Sequence, residues 1–186
     1  MIAVIIIIVI LVVLGIIFAA LYNSLVGRRN QVDNSWSQID VQLKRRHDLI
    51  PNLVEAVKDY MSYEQETLTN VTAARAAAIN AGSQGPQAQA QAENMLTESL
   101  KSLFAVVEAY PDLKANQNFL ALQEELANTE NKIGFARQFY NDAVKLYKNR
   151  VEMFPSNIVA NIFGFKVEPF FEVESSGDRA TPQVKF

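Results

Sequence analysis

The sequence predicts an all-α protein, an N-terminal transmembrane helix followed by an antiparallel, coiled-coil-like bundle of three to four helices. Three observations predict it. The run from Ile2 to Leu21 carries no charge, no proline and no hydrogen-bonding side chain. Beyond it, apolar residues recur at steps of three and four as far as Phe154, the period of one helix face. The stripes are interrupted at Gly82-Ser83-Gln84-Gly85-Pro86 and at Tyr110-Pro111, where glycine and proline cannot continue a helix.

The first element is the anchor, residues 1–22. At ~1.5 Å per residue Ile2 to Leu21 reaches ~30 Å, the hydrocarbon thickness of a bilayer. Sixteen of these residues are Ile, Val, Leu or Phe, which favours insertion by roughly 5 to 10 kcal/mol. A cleavable signal peptide has a basic start, a shorter apolar stretch and a small-x-small cleavage triplet. Here only the amino terminus precedes the run, and Phe18-Ala19-Ala20 is a poor triplet, so a retained anchor is expected. Arg28 and Arg29 follow the span. Cations stay on the cytoplasmic side, which predicts an outer N-terminus and a cytoplasmic C-terminal domain. Tyr22, Arg28 and Arg29 are the expected headgroup contacts.

Residues 23–155 read as the bundle. Val32, Trp36, Ile39, Leu43, Ile50, Leu53, Val57, Tyr60, Val71, Ala74 and Ala78 form one stripe, so a single helix from Val32 to about Ala78 is expected. Pro51 lies inside it, where it removes a backbone hydrogen bond; because the heptad register crosses it, a kink is favoured over a break. After the Gly82 to Pro86 turn, Gln87 to Ala92 alternates by two, yet Ala and Gln are helix formers and poor strand residues. A helix carrying Leu96, Leu100, Leu103, Val107 and Tyr110 is therefore expected. A connection from Asp112 to Asn116 leads to a long amphipathic helix from Phe119 to Phe154, stopped by Pro155. Residues 156–174, rich in Phe, Ile and Val, read as an aromatic tail that docks on something. Residues 175–186, rich in Ser, Gly, Asp, Thr and Pro, read as disordered.

Helix lengths suggest assembly. Val32 to Ala78 would be ~70 Å long against ~36 Å for Gln87 to Tyr110. The membrane-proximal positions Val32, Trp36, Ile39 and Leu43 are then expected to lack intrachain cover, which leaves them to the folded-back tail or to other copies of the chain.

The 186 residues have a net charge of −3, no cysteine and a single histidine, His47. The acidic balance argues against nucleic-acid binding, which needs a basic face. Without cysteine there is no thiolate metal site or nucleophile, and no Glu-x-x-His pair suits a di-metal bundle. Glu64, Glu66, Glu124, Glu125 and Glu130 could hold a hard cation, but such carboxylates more often face water. Lys44-Arg45-Arg46-His47 reads as a solvated face balanced by Asp40 and Asp48. Arg46, Glu64, Thr129 and Arg150 fall on seam positions, where a charge needs a partner or a bundle edge.

Several stretches carry a resemblance: Asn30-Gln31-Val32-Asp33-Asn34-Ser35-Trp36, His47-Asp48-Leu49-Ile50-Pro51-Asn52-Leu53-Val54, Glu108-Ala109-Tyr110-Pro111-Asp112-Leu113-Lys114-Ala115, Ala136-Arg137-Gln138-Phe139-Tyr140-Asn141 and Phe154-Pro155-Ser156-Asn157. The chain resembles the LemA family over nearly its whole length, anchor included. The resemblance implies a bacterial single-pass protein of the inner membrane with a cytoplasmic α-helical bundle, and it implies no catalytic residues. The expected function is that of a scaffold organising membrane-associated assembly as a homo-oligomer, with the lipid bilayer as partner and no cofactor, metal or nucleic acid. The alternative is a tethered adaptor that recruits a protein partner through its bundle or aromatic tail.

Overall fold

The computed structural model describes residues 1–61 and 63–171. Its elements are α1 (Ile2–Lys58), α2 (Gln65–Ala81), α3 (Pro86–Val107), α4 (Pro111–Lys114), α5 (Gln117–Glu152) and α6 (Ser156–Phe163). No strand occurs among the described residues, so the protein is all-α, as expected. Residues 175–186, expected to be disordered, lie outside the described residues, as do the last positions of 156–174. The chain divides into two compact units. Among the described residues, 1–40 and 134–169 form an anchor unit; those of 41–133, with Phe170 and Phe171, form a core unit. α1 and α5 each contribute to both.

In the anchor unit, the apolar side chains from Ile2 to Phe18 are exposed, on a helix long and apolar enough to cross a membrane. From Leu25 onward one face of α1 turns inward: Leu25, Val32, Ser35 and Ile39 are buried, at the spacing of a single helix face. The Ser35 hydroxyl donates to the Gln31 carbonyl at 2.6 Å, which satisfies its one polar group. The second half of α5 covers this face. Trp36 meets Tyr140 with ring centroids 5.3 Å apart, and the Tyr140 hydroxyl donates to the Pro169 carbonyl at 2.9 Å. This corrects the expectation that Val32, Trp36 and Ile39 lack intrachain cover. Val32 and Ile39 are 1% and 0% exposed, and Trp36 is half-buried. The reason is length: at ~1.5 Å per residue α5, with 36 residues, is long enough for its second half to run antiparallel to α1.

α5 ends at Glu152, ahead of Pro155. The tail then folds as α6, whose Ser156, Val159 and Ala160 point inward. The Phe163 ring packs on Phe18 and Tyr22, and Phe165 on Tyr22. Gly164 closes the helix at φ 69°, a left-handed conformation that favours glycine, and the Phe165 N–H donates to the Ala160 carbonyl at 2.9 Å. The aromatic tail thus docks in part on its own chain.

In the core unit Leu43 is also buried, at 1% exposure, so it joins the correction above. Pro51 does not end α1. The helix stops instead at Lys58 and restarts at Gln65, which corrects the single helix expected from Val32 to Ala78. No glycine or proline marks this break; the intervening Asp59, Tyr60 and Tyr63 are weak helix formers, and Met61 is fully buried at the turn. α2 doubles back, since its Arg75 reaches His47 of α1. The Gly82 to Pro86 turn appears where expected, with Gly85 at φ 96° and Pro86 opening α3, where its missing N–H is harmless. α4 occupies the connection after Tyr110 and buries Leu113. The Asn116 side-chain carbonyl then accepts from the N–H groups of Asn118 and Phe119 at 2.9 and 3.2 Å, capping α5.

The core joins Ile50, Leu53 and Val57 of α1, Val71 of α2, Leu96 and Leu103 of α3, and Phe119 and Leu126 of α5. Each fully buried side chain of this size stabilises the fold by about 1.5–3 kcal/mol.

Candidate functional site

A buried charge cluster sits inside the core unit. Arg46 is wholly buried, and its guanidinium is bonded to the equally buried Glu93 carboxylate. It also donates to Glu130 Oε2 at 2.7 Å, Thr97 Oγ1 at 2.9 Å and the Glu93 backbone carbonyl at 3.3 Å. His47 Nε2 donates to Glu93 Oε1 at 2.9 Å. The Thr97 hydroxyl lies within reach of the Glu93 carbonyl, at 3.1 Å, and of Glu130 Oε1, at 3.3 Å. Arg75 of α2 donates to the His47 backbone carbonyl at 2.6 Å. Thus α1, α2, α3 and α5 all meet at one polar point.

Burial pushes the Glu93 carboxyl up, but the His47 hydrogen bond, the attraction of Arg46 and His47, and the Arg46 hydrogen bond together outweigh it. The carboxyl is held below its ordinary value of 4.5. A buried charge is tolerated only when paired and hydrogen-bonded, and a guanidinium facing two carboxylates meets that condition. Such a cluster fixes the register of the helices that supply it. Among the described residues, no group of three or more His, Asp or Glu side chains is arranged to hold a metal ion.

These positions correct the solvated reading of the basic run. Lys44 and Arg45 are exposed, Arg45 pairing with Glu125 at 2.7 Å, whereas Arg46 and His47 are buried because their partners reach them from α3 and α5. Glu93 was not singled out in the sequence, although it carries a signal: it lies on the α3 stripe, three residues before Leu96. Of the other seam polar residues, Thr129 is buried and donates to the Glu125 carbonyl at 2.8 Å. Glu64 is half-buried and accepts from the Tyr110 hydroxyl at 3.4 Å; Arg150 is exposed.

The second candidate is the surface of the anchor unit. Tyr22 is half-buried between Phe163 and Phe165, with centroids at 4.7 and 5.8 Å. The Arg29 guanidinium stands 5.9 Å over the Phe165 ring, and Arg28 donates to Gln31 Oε1 at 3.1 Å. Of the three expected interface residues, Tyr22 directly follows the apolar run, and Arg28 and Arg29 stand seven and eight residues beyond its last residue, Leu21. On α5, Phe135, Phe139 and Leu146 are 74%, 49% and 44% exposed. Steps of four and seven residues put them on one helix face, away from the buried Tyr140, Val144 and Tyr147. This row was not read from the sequence, where Tyr140 and Tyr147 marked the seam and the residues beside them went unremarked.

A model of the LemA family matches residues 35–186. The magnetosome proteins MamQ 1 and MamQ 2 of Paramagnetospirillum magneticum are each 25% identical to this chain over 189 residues, covering 88% of it and 70% of their own length. Protein LemA of Metamycoplasma hominis is 25% identical over 138 residues, covering 74% of this chain and 63% of its own.

Proposed function

Since the chain belongs to the LemA family and is membrane-associated, we propose that it is a single-pass scaffold acting by lateral association of its copies rather than by catalysis. The row of Phe135, Phe139 and Leu146 on α5 carries this reading. Exposed apolar rows mark interaction surfaces. Anchored copies share one plane and one orientation, so the same row on a neighbour is held at high effective concentration, and a self-complementary contact is the commonest outcome. Val32, Trp36, Ile39 and Leu43 were the expected contacts; with Val32, Ile39 and Leu43 buried and Trp36 half-buried against Tyr140, they give way to this outer face.

The proposed setting is the bacterial inner membrane, with the N-terminus outside and the helical domain in the cytoplasm. Arg28 and Arg29 just after the span support that orientation. The bilayer and further copies of the chain are the proposed partners, and no cofactor is required.

The chain has no cysteine, which makes the test clean. In native membranes Phe139→Cys should cross-link copy to copy with a short bifunctional thiol reagent, while Asn118→Cys, exposed in the core unit, should not. A Phe139→Cys chain that stays monomeric and cross-links to one other protein would replace the scaffold with an adaptor.

A further inference from the structure

We infer that α6 is a second membrane contact, an interfacial helix that buries Phe154, Ile158, Ile162 and Phe163 in the leaflet where the anchor ends. The inference rests on the anchor reading and adds to it. Its first support is level. The Phe163 ring lies 5.9 Å from Phe18 and 4.7 Å from Tyr22. If Ile2 to Leu21 fills the ~30 Å hydrocarbon layer, the end of α6 sits beside the last turn of the span, at the boundary of acyl chains and headgroups.

Its second support is the surface α6 presents there. Ser156, Val159 and Ala160 already face inward. On the other side Ile158 and Ile162 are 51% and 63% exposed, and Phe154, just before the helix, is 78% exposed. Phe163, seven residues after Ser156 and so on the inward face, packs on Phe18 and Tyr22 and is still 52% exposed. No residue from Ser156 to Phe163 is charged. Exposed Asn161 stands beside Ile158 and Ile162 on this outer side, the mixture of apolar bulk and a polar tip that suits the boundary of acyl chains and headgroups better than water. The helix ends against Phe18 and Tyr22, at the close of the apolar run, so lipid is the cover that needs no further molecule. Its flanks carry cations, Arg29 over Phe165 and Lys166 just beyond, placed as interfacial helices place theirs, toward headgroups.

Single cysteines in the full chain test this. Ile162→Cys, Leu11→Cys and Thr69→Cys are each labelled with a polarity-sensitive fluorophore and reconstituted in vesicles of phosphatidylcholine and phosphatidylglycerol. Quenchers are lipid-borne, either near the headgroup or at the bilayer centre, or aqueous iodide. The label at position 162 should lose most of its emission to the headgroup-level quencher and little to iodide. The label at 11 should respond to the central quencher, and that at 69 to iodide alone. A lipid-quenched label at 11 with an iodide-quenched label at 162 overturns the inference and leaves the anchor intact. A label at 162 shielded from both lipid and iodide overturns it in favour of a protein contact. An iodide-quenched label at 11 overturns the anchor, and the inference with it.

Discussion

The backbone carbonyl of His47 accepts a hydrogen bond from Nε of Arg75 at 2.6 Å. Pro51 lies four residues on and has no N–H, so the helical bond that would end on this carbonyl cannot form. A side chain from α2 takes the place of a missing backbone donor in α1. The proline is thereby accommodated inside a helix that continues to Lys58, and α2 is tied to α1 at the break in its ladder.

Arg75→Met should therefore lower the stability of the full chain in detergent by about 1–3 kcal/mol, the usual loss when a buried acceptor is left without a donor. Pro51→Ala restores a backbone N–H for the same carbonyl. In that background Arg75→Met should lose clearly less, a coupling of about 1 kcal/mol in a double-mutant cycle followed by circular dichroism. Additive losses would show that the two groups do not share the acceptor.

Glu93 closes the cluster from α3. Glu93→Ala removes the one fully buried carboxylate facing Arg46 and should cost about 3–5 kcal/mol, as breaking a buried pair does. The loss depends on pH. Because the folded carboxyl is held below 4.5, its contribution is fully present above that value and is lost as pH falls through the lower folded value. Wild-type stability should thus fall more steeply than that of Glu93→Ala on the acid side of pH 4.5. Parallel acid limbs in denaturant titrations would remove this role.

Tyr140 gives the opposite limb. Burial, then the Glu168 and Asp33 charges, push its phenol up to about 12 from an ordinary 10.0. The folded protein holds the neutral form, so this contribution is intact below pH 10.0 and disappears as pH rises through about 12. Tyr140→Phe should lose about 0.5–1.5 kcal/mol with the bond to Pro169, and its stability should fall less steeply between those values. The ultraviolet difference between the two proteins should show a tyrosine ionising near 12 rather than at 10.0.

Local patterns carried most of the fold. The apolar run, the Gly82 to Pro86 turn and the stripe through Leu96, Leu100 and Leu103 are each legible within a few turns of chain, because backbone conformation and helix periodicity are local properties. The end of α1 at Lys58 was not legible, since no glycine or proline announces it and burial of Met61 is a tertiary event. Nor was the pairing of Arg46 with Glu93. The sequence shows a charge on each stripe, but which charges meet depends on how α3 lies against α1. Cover for Val32 and Ile39 was missed for a similar reason: the first helix was measured against the second, while the element that lies along it is α5.

The central claim is that anchored copies associate through the outer face of α5. Direct imaging of the full chain in native membrane patches, counting copies per particle, tests it. Wild type should appear as defined clusters of two or more copies, and Phe135→Glu with Phe139→Glu should disperse them into single copies with helicity unchanged. A wild-type chain found as single copies throughout the membrane, or clusters that survive those substitutions, would contradict it.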